Sequence, residues 1–279
     1  MTKKTDFNTA VASRFNEWAE RIPKLAGTGD ADWLWASQDL CDVAVGKKHF
    51  QDISKRFNNI LWWSKTDLSC LLDIGCGTGI IGFNIKQLNS SVKTVHGIDI
   101  ADKAIEIARK KHPNGVFSVQ CATRLTYPDD MFSAVVSYGA FMYMSFEEAN
   151  KALCEALRVT APGGVIIVSG LNDFNKFDPE DELYPSVSER EHSDAVWGYI
   201  YKREKWESVL GRMDQVGRVR FVEDSTLFGR GHEFFDKQFT LIIHKRTVKS
   251  NHFNSCKFIA FAIVIVLLAA VLGQYKLTK

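Results

Sequence analysis

Asp73, Gly75, Gly77 and Gly79 are the residues of this chain whose types and spacing point most directly to chemistry. They sit in Leu71-Leu72-Asp73-Ile74-Gly75-Cys76-Gly77-Thr78-Gly79. An apolar strand ends in an acid, a G-x-G-x-G turn follows, and a helix opens at Ile80. Glycines let a backbone turn sharply and approach a ligand where any Cβ would collide. An anion at Asp73 would repel a pyrophosphate, so the turn suits a ligand that carries positive charge. A second acid, Asp99, ends the apolar stretch Val95-His96-Gly97-Ile98. It lies roughly 20–25 residues past the turn, the distance of a ribose-binding acid in a Rossmann-like unit.

The run Leu71–Gly79 with Asp99 behind it resembles motif I and its partner acid in the class I S-adenosylmethionine-dependent methyltransferases. The resemblance extends from about Leu61 to Arg246. It implies S-adenosylmethionine as the cofactor. It also implies that Gly75, Cys76, Gly77, Thr78 and Gly79 wrap the methionine part, with Asp73 near its ammonium group. Asp99 would take the ribose hydroxyls and Ile100 would pack on adenine. Where the family's third strand ends in Asp-Ala, this chain has Cys121-Ala122. The Ala122 amide can still meet the adenine ring, but the acidic contact is gone. Ser133 likewise stands where Asp is usual.

The family's turn after the fourth strand faces the sulfonium and the acceptor. Here it reads Ser137-Tyr138-Gly139-Ala140-Phe141-Met142-Tyr143-Met144. The resemblance assigns Ser137 to the cofactor side, and Tyr138, Phe141 and Tyr143 to the catalytic side. Phe141, Tyr143 and Met144 fit either an apolar wall or plain packing beneath the next helix. The turn lacks the N/D-P-P-Y/F/W signature of enzymes acting on nucleic-acid bases or protein amides. Methyl transfer is an in-line displacement, so an amine or thiolate acceptor needs little beyond orientation and dryness. A hydroxyl acceptor usually needs a base. His192 and His232 are the candidates, each also readable as an ordinary surface histidine. No cluster has metal-ligand spacing, so no metal is expected.

These residues need a sheet to hold them. Apolar runs alternate with amphipathic ones as in a doubly wound α/β fold. Strands are expected at 70–74, 92–98, 116–120, 132–137 and 165–169, with helices at 80–88, 102–111 and 146–159. Pro162-Gly163-Gly164 reads as a turn into the fifth strand. A helix at 202–216 and strands at 219–224 and 235–244 complete seven strands, the last one antiparallel by resemblance. The acidic stretch 172–191 reads as a long loop, either a solvated surface or a cover on the acceptor site. Phe15, Trp18, Ala19 and Ile22 recur at helical spacing. The expected plan is an N-terminal helical lid (1–60), a Rossmann-like methyltransferase domain (61–247), a basic linker (248–257) and a transmembrane tail anchor (258–273).

That anchor is an uncharged run of about 16 residues, Phe258 to Gly273. As a helix it is roughly 24 Å long, short for an average bilayer but compatible with a thin one such as the endoplasmic reticulum. A buried core helix is the other reading. Lys245, Arg246, Lys249 and Lys257 precede it, while Lys276 and Lys279 follow, so the large N-terminal part belongs in the cytosol. A net charge of +2 over 279 residues carries no basic field for nucleic acid. Six cysteines without C-x-x-C spacing fit reduced thiols, and no secretory signal is visible. Methyl transfer to a small, lipophilic N, O or S acceptor at a membrane is the leading expectation. A protein methyltransferase and an inactive membrane-tethered binding module are the alternatives. A nicotinamide oxidoreductase fits poorly, because its third glycine would fall at position 80, which is Ile.

Overall fold

A computed structural model of the chain describes residues 43–64, 68–176, 199–224 and 237–247, together with residues 9, 11–13, 15–17 and 19. The chain divides into two compact units, Met1–Arg246 and Thr247–Lys279. The first is built on one sheet. Its strands are β1 (Cys70–Ile74), β2 (Thr94–Asp99), β3 (Val116–Val119), β4 (Phe132–Tyr138), β5 (Thr160–Asp173), β6 (Ile200–Tyr201), β7 (Val216–Glu223) and β8 (Gln238–Lys245). Its helices are α1 (Val43–Ser64), α2 (Ile80–Leu88), α3 (Asp102–Lys111), α4 (Phe146–Val159) and α5 (Arg203–Leu210).

The spatial order is β3-β2-β1-β4-β5-β8-β7, with β6 beside β5. β1 to β5 run parallel, and β8 enters antiparallel between β5 and β7. Period-two alternation sends neighbouring side chains to opposite faces. Leu72, Val135, Ile166 and Val168 join Leu153, Leu157 and Trp206 on the face covered by α4 and α5. Leu71, Ala134, Val136 and Ile167 join Ile53, Phe57, Leu61, Ile81 and Ile85 on the face covered by α1 and α2. Both faces are thus buried, as a parallel sheet requires.

Local signals explain the element ends. Ser145 caps α4 by accepting from the Glu148 N–H, while the Glu148 side chain returns to the Ser145 N–H. This reciprocal box satisfies two donors that the helix leaves open. Ser133 Oγ accepts from the Cys70 N–H at 3.0 Å and donates to the Cys70 carbonyl at 2.8 Å, which stitches β4 to the start of β1.

Four expectations need correction. Among the described residues the seven expected strands gain an eighth, the two-residue β6, which pairs with Asn172 and Asp173 of β5 off the main path. Pro162-Gly163-Gly164 lies inside β5, where the register with β4 shifts between Phe132 and Ala134. Three extra residues on β5 interrupt the ladder there, Gly163 with φ 80°, and regular pairing resumes at Val165, the expected strand start. The helix expected at 202–216 stops at Leu210 before Gly211, and β7 begins already at Val216. Helix α1 runs through the expected boundary at 60/61. Among the described residues no helix is long and apolar enough to cross a membrane. The expected anchor at 258–273 and most of the acidic loop lie outside the described residues.

Candidate active site

The strand order reverses between β1 and β4, and the crevice at the carboxyl ends of these strands is where such sheets bind ligands. The glycine turn occupies that edge. The Gly75 and Cys76 N–H groups both donate to the Ile98 carbonyl, at 2.8 and 2.9 Å, so the turn hangs from the end of β2. Gly75 has φ 71° and Gly77 has φ 53°, conformations that L side chains avoid. A Cβ on Gly75 would sit 2.2 Å from the Ala140 Cβ, so the turn approaches the segment after β4 closely. A Cβ on Gly77 or Gly139 would meet nothing within 4 Å. Those two glycines border open space, a cradle with room for a ligand.

Two acids frame the turn from different depths. Asp73 is 2% exposed, and its Oδ2 accepts the Gly82 N–H of α2 at 3.0 Å. Burial raises its pKa to about 7, against the lowering effect of that hydrogen bond and with a further upward push from Asp99. It holds the first turns of α2 against β1. Any influence on a ligand would pass through the turn above it. Asp99 reaches the surface. Its Oδ2 accepts the Gly77 N–H and its Oδ1 the Ala101 N–H, both at 2.9 Å. Burial pushes its pKa up as well, opposed by the N–H groups of Ala101, Gly77 and Ile100.

The remaining cofactor-side candidates divide by depth. Ile100 is half-buried at the end of β2. Cys121 and Ala122 follow β3, where the Gln120 N–H donates to the Asp99 carbonyl at 3.0 Å, so they share the Asp99 edge. Cys121 Sγ lies 3.1 Å from Thr123 Oγ1. Thr78, Cys76 and Ser137 are buried. Ser137 Oγ donates to the Ile74 carbonyl at 2.8 Å and braces the end of β1. The Cys76 thiol is pushed well above its ordinary pKa by burial and by the nearby acids Asp73 and Asp99.

On the acceptor side the structure selects packing over the wall for Phe141. Phe141 is 1% exposed and belongs to the core with Leu153 and Trp206, because the short 3₁₀ turn Phe141–Tyr143 rotates its ring under α4. It cannot line an open wall. Tyr201 pins that turn by donating to the carbonyls of Phe141 and Met144. Tyr143 stays half-buried and meets Phe15 edge to face, with ring centroids 5.3 Å apart. The neighbouring Asn16 accepts the Lys103 N–H of α3 at 3.1 Å. The N-terminal helical residues therefore touch the acceptor-side turn and the Asp99 side of the crevice at once.

Tyr138 shows what sequence reasoning missed. Its Oη lies 3.0 Å from His49 Nε2 on α1. Burial, with Asp224 and then Tyr143 behind it, raises the Tyr138 pKa well above its ordinary value, so the phenol keeps its proton. His49 has no motif around it, and only the fold brings it to the end of β4. His192 and His232 lie outside the described residues. No group of His, Cys, Asp and Glu suited to a metal occurs among the described residues.

Residues 71–164 match a methyltransferase domain family. The chain is 34% identical over 176 residues to the ubiquinone/menaquinone biosynthesis C-methyltransferase UbiE of Marinomonas sp. (strain MWYL1), covering 54% of this chain and 67% of that protein. It is 34% identical over 122 residues to the probable tRNA methyltransferase 9B of Homo sapiens, and there it spans only 25% of the relative. Magnesium protoporphyrin IX methyltransferase from Synechocystis PCC 6803, solved with bound SAH, shares the fold. Its TM-score is 0.57 at 16% identity, over 85% of this chain and 99% of that one. The glycine turn, its two acids, the inserted antiparallel strand and the UbiE relationship agree, and the chain belongs to the class I S-adenosylmethionine-dependent methyltransferases.

Proposed function

We propose that this chain transfers the methyl group of S-adenosylmethionine to a small acceptor with an apolar, aromatic body, at a membrane surface. The observation that carries the reading is the hydrogen bond from the Gly77 N–H to Asp99 beside the space that Gly77 and Gly139 leave open. A carboxylate has about four acceptor sites, so the three backbone N–H groups on Asp99 leave capacity for a ribose hydroxyl. Ile100 and the Ala122 amide stand beside it for adenine. When bound, the cofactor supplies a methyl group on a sulfonium, open to in-line displacement.

The chain then has to orient the acceptor and keep water out. The N-terminal helical residues, bridging Tyr143 and Lys103, act as the cover. The UbiE relative is named as a C-methyltransferase of quinone biosynthesis, which favours a flat aromatic acceptor. A carbon or hydroxyl acceptor must also lose a proton. His49 Nε2 can take it through Tyr138, whose hydroxyl passes its own proton to the imidazole as it receives the acceptor's. The uncharged run 258–273 supplies the membrane, with the folded domain on the cytosolic side.

Calorimetric titration of the full chain with S-adenosylmethionine and its demethylated product tests the cofactor half. Asp99→Ala is expected to weaken both by about 1–3 kcal/mol, since hydrogen bonds to a charged group are lost. Unchanged affinity refutes the ribose assignment. Transfer of a labelled methyl group to phenolic and quinol acceptors, with amines, thiols, proteins and tRNA alongside, tests the acceptor half. Labelling of tRNA or protein alone would move the reading to those substrates.

A further inference from the structure

Helix α1 joins two opposite edges of the sheet. Near its start, His49 meets Tyr138 at the cofactor edge. Thirteen residues later, roughly 20 Å along the axis, Trp62 and Trp63 stand just before β1. Trp62 is 66% exposed and Trp63 74%, with ring centroids 4.9 Å apart in a T-shaped pair. Two adjacent indoles this exposed make an apolar patch out of keeping with a solvated helix face. The surroundings share the character. Asn89, at the end of α2, donates to Asn58 at 3.0 Å, one turn before the pair. That ties Leu88, 46% exposed, to the same edge, followed by the exposed Lys93 at the start of β2.

The direction of β8 adds a second observation. Being antiparallel, it ends where β5 begins, with His244 opposite Val165 and Lys245 opposite Val216. The chain therefore leaves the described fold at the edge that carries Trp62 and Trp63, opposite the cofactor crevice. The uncharged run begins at Phe258, and the ten residues 248–257 before it include Lys249 and Lys257. Ten residues span at most roughly 33–36 Å, which bounds the tether between this edge and Phe258.

We propose that Trp62 and Trp63 dock on the interface of the lipid bilayer entered by residues 258–273, so that the cofactor crevice opens away from the membrane. The inference rests on reading 258–273 as a membrane segment. Tryptophan suits the interface because its ring is apolar and its N–H stays wet. Lysines beside it favour anionic headgroups. Docked in this way, the domain takes cofactor and acceptor from the aqueous side, and an acceptor made in the membrane must leave it to react.

The test uses the full chain in phosphatidylcholine–phosphatidylserine vesicles carrying bromine high on the acyl chains, which quenches nearby indoles. None of the seven tryptophans lies in residues 248–279, so quenching reports the folded domain. Wild-type emission should be quenched, and most of the quenched fraction should vanish in Trp62→Phe/Trp63→Phe. These exposed positions should leave folding intact, which circular dichroism checks. Equal quenching in wild type and variant overturns the proposal, as does wild-type protein that floats with vesicles after carbonate washing yet is not quenched. In both cases the membrane segment itself stands. Failure to float at all defeats the membrane segment and the docking together, without touching the cofactor titration. A dimer in detergent that the double variant abolishes would assign the pair to a second copy of this chain instead.

Discussion

Gly75 and Gly77 belong to one motif and face opposite situations. Both have positive φ, so an Ala at either position carries left-handed strain of roughly 1–2 kcal/mol. At Gly75 the new methyl group would also overlap Ala140, at 2.2 Å, and the turn would have to separate from the segment after β4. At Gly77 the methyl group enters the open cradle instead. Gly75→Ala is therefore expected to lower thermal stability well beyond Gly77→Ala. Gly77→Ala should stay folded with a loss of about 1–2 kcal/mol while weakening S-adenosylmethionine binding. Thermal unfolding and calorimetry on the pair separate the two effects. Equal stability losses would mean that the turn does not press on Ala140. The same residues show what a linear motif hides. Both acids were legible by position, but their different depths, one gripping α2 and one reaching the surface, come from the packing of the helix over the strand.

At the scale of elements, α1 decides whether the N-terminal segment is a detachable cover or part of the core. Ile53, Phe57 and Leu61 are buried at i, i+4 and i+8 against Leu71, Ile81 and Ile85. That stripe makes α1 a layer of the domain on the face it shares with α2. Phe57→Ala should cost about 3–5 kcal/mol in chemical denaturation, the range for a large buried aromatic ring. A loss near zero would show a helix that opens independently of the sheet. Helices α2, α3 and α4 were legible to the residue, because a glycine turn, an acidic first turn and a capping box punctuate apolar periodicity. The two-residue β6 was not, since nothing in Ile200-Tyr201 distinguishes a strand from a loop until Asn172 and Asp173 pair with it. Phe141 stays undecided in the sequence for a related reason. Its apolar side chain suits a ligand wall and a core equally, and the 3₁₀ turn that selects the core is tertiary in origin.

At the scale of the molecule, the buried carboxylates couple the fold to pH. Burial raises the pKa of Asp73 to about 7 and that of Asp224 to about 6, and it raises Asp99 as well. Asp224 follows β7 at the end of the sheet that carries Tyr138, where its Oδ1 accepts from Thr240 at 2.5 Å and its Oδ2 from the Gly170 N–H at 3.2 Å. Each folded-state value exceeds the ordinary carboxylate value of 3.8. Between that value and the raised one, the folded chain holds more protons than the unfolded chain. Stability must then fall as pH rises through this window, from about 4 to about 7, and level off above it. Asp73→Asn isolates one contributor. The Asn carbonyl can still accept the Gly82 N–H, so the brace on α2 survives while the titration disappears. The variant should match wild type near pH 4.5 and surpass it at pH 7.5. The gap should be at least about 2 °C in Tm, because 1 kcal/mol moves a domain of this size by roughly 2–4 °C. Melting curves across that range decide the matter. A variant that parallels wild type at every pH would show that Asp73 is ionised throughout, with the positive end of α2 stabilising its charge more than burial opposes it. The acid below the turn would then act as a permanent anion beneath the cofactor cradle, which is the electrostatic role that its place beside the glycines first suggests.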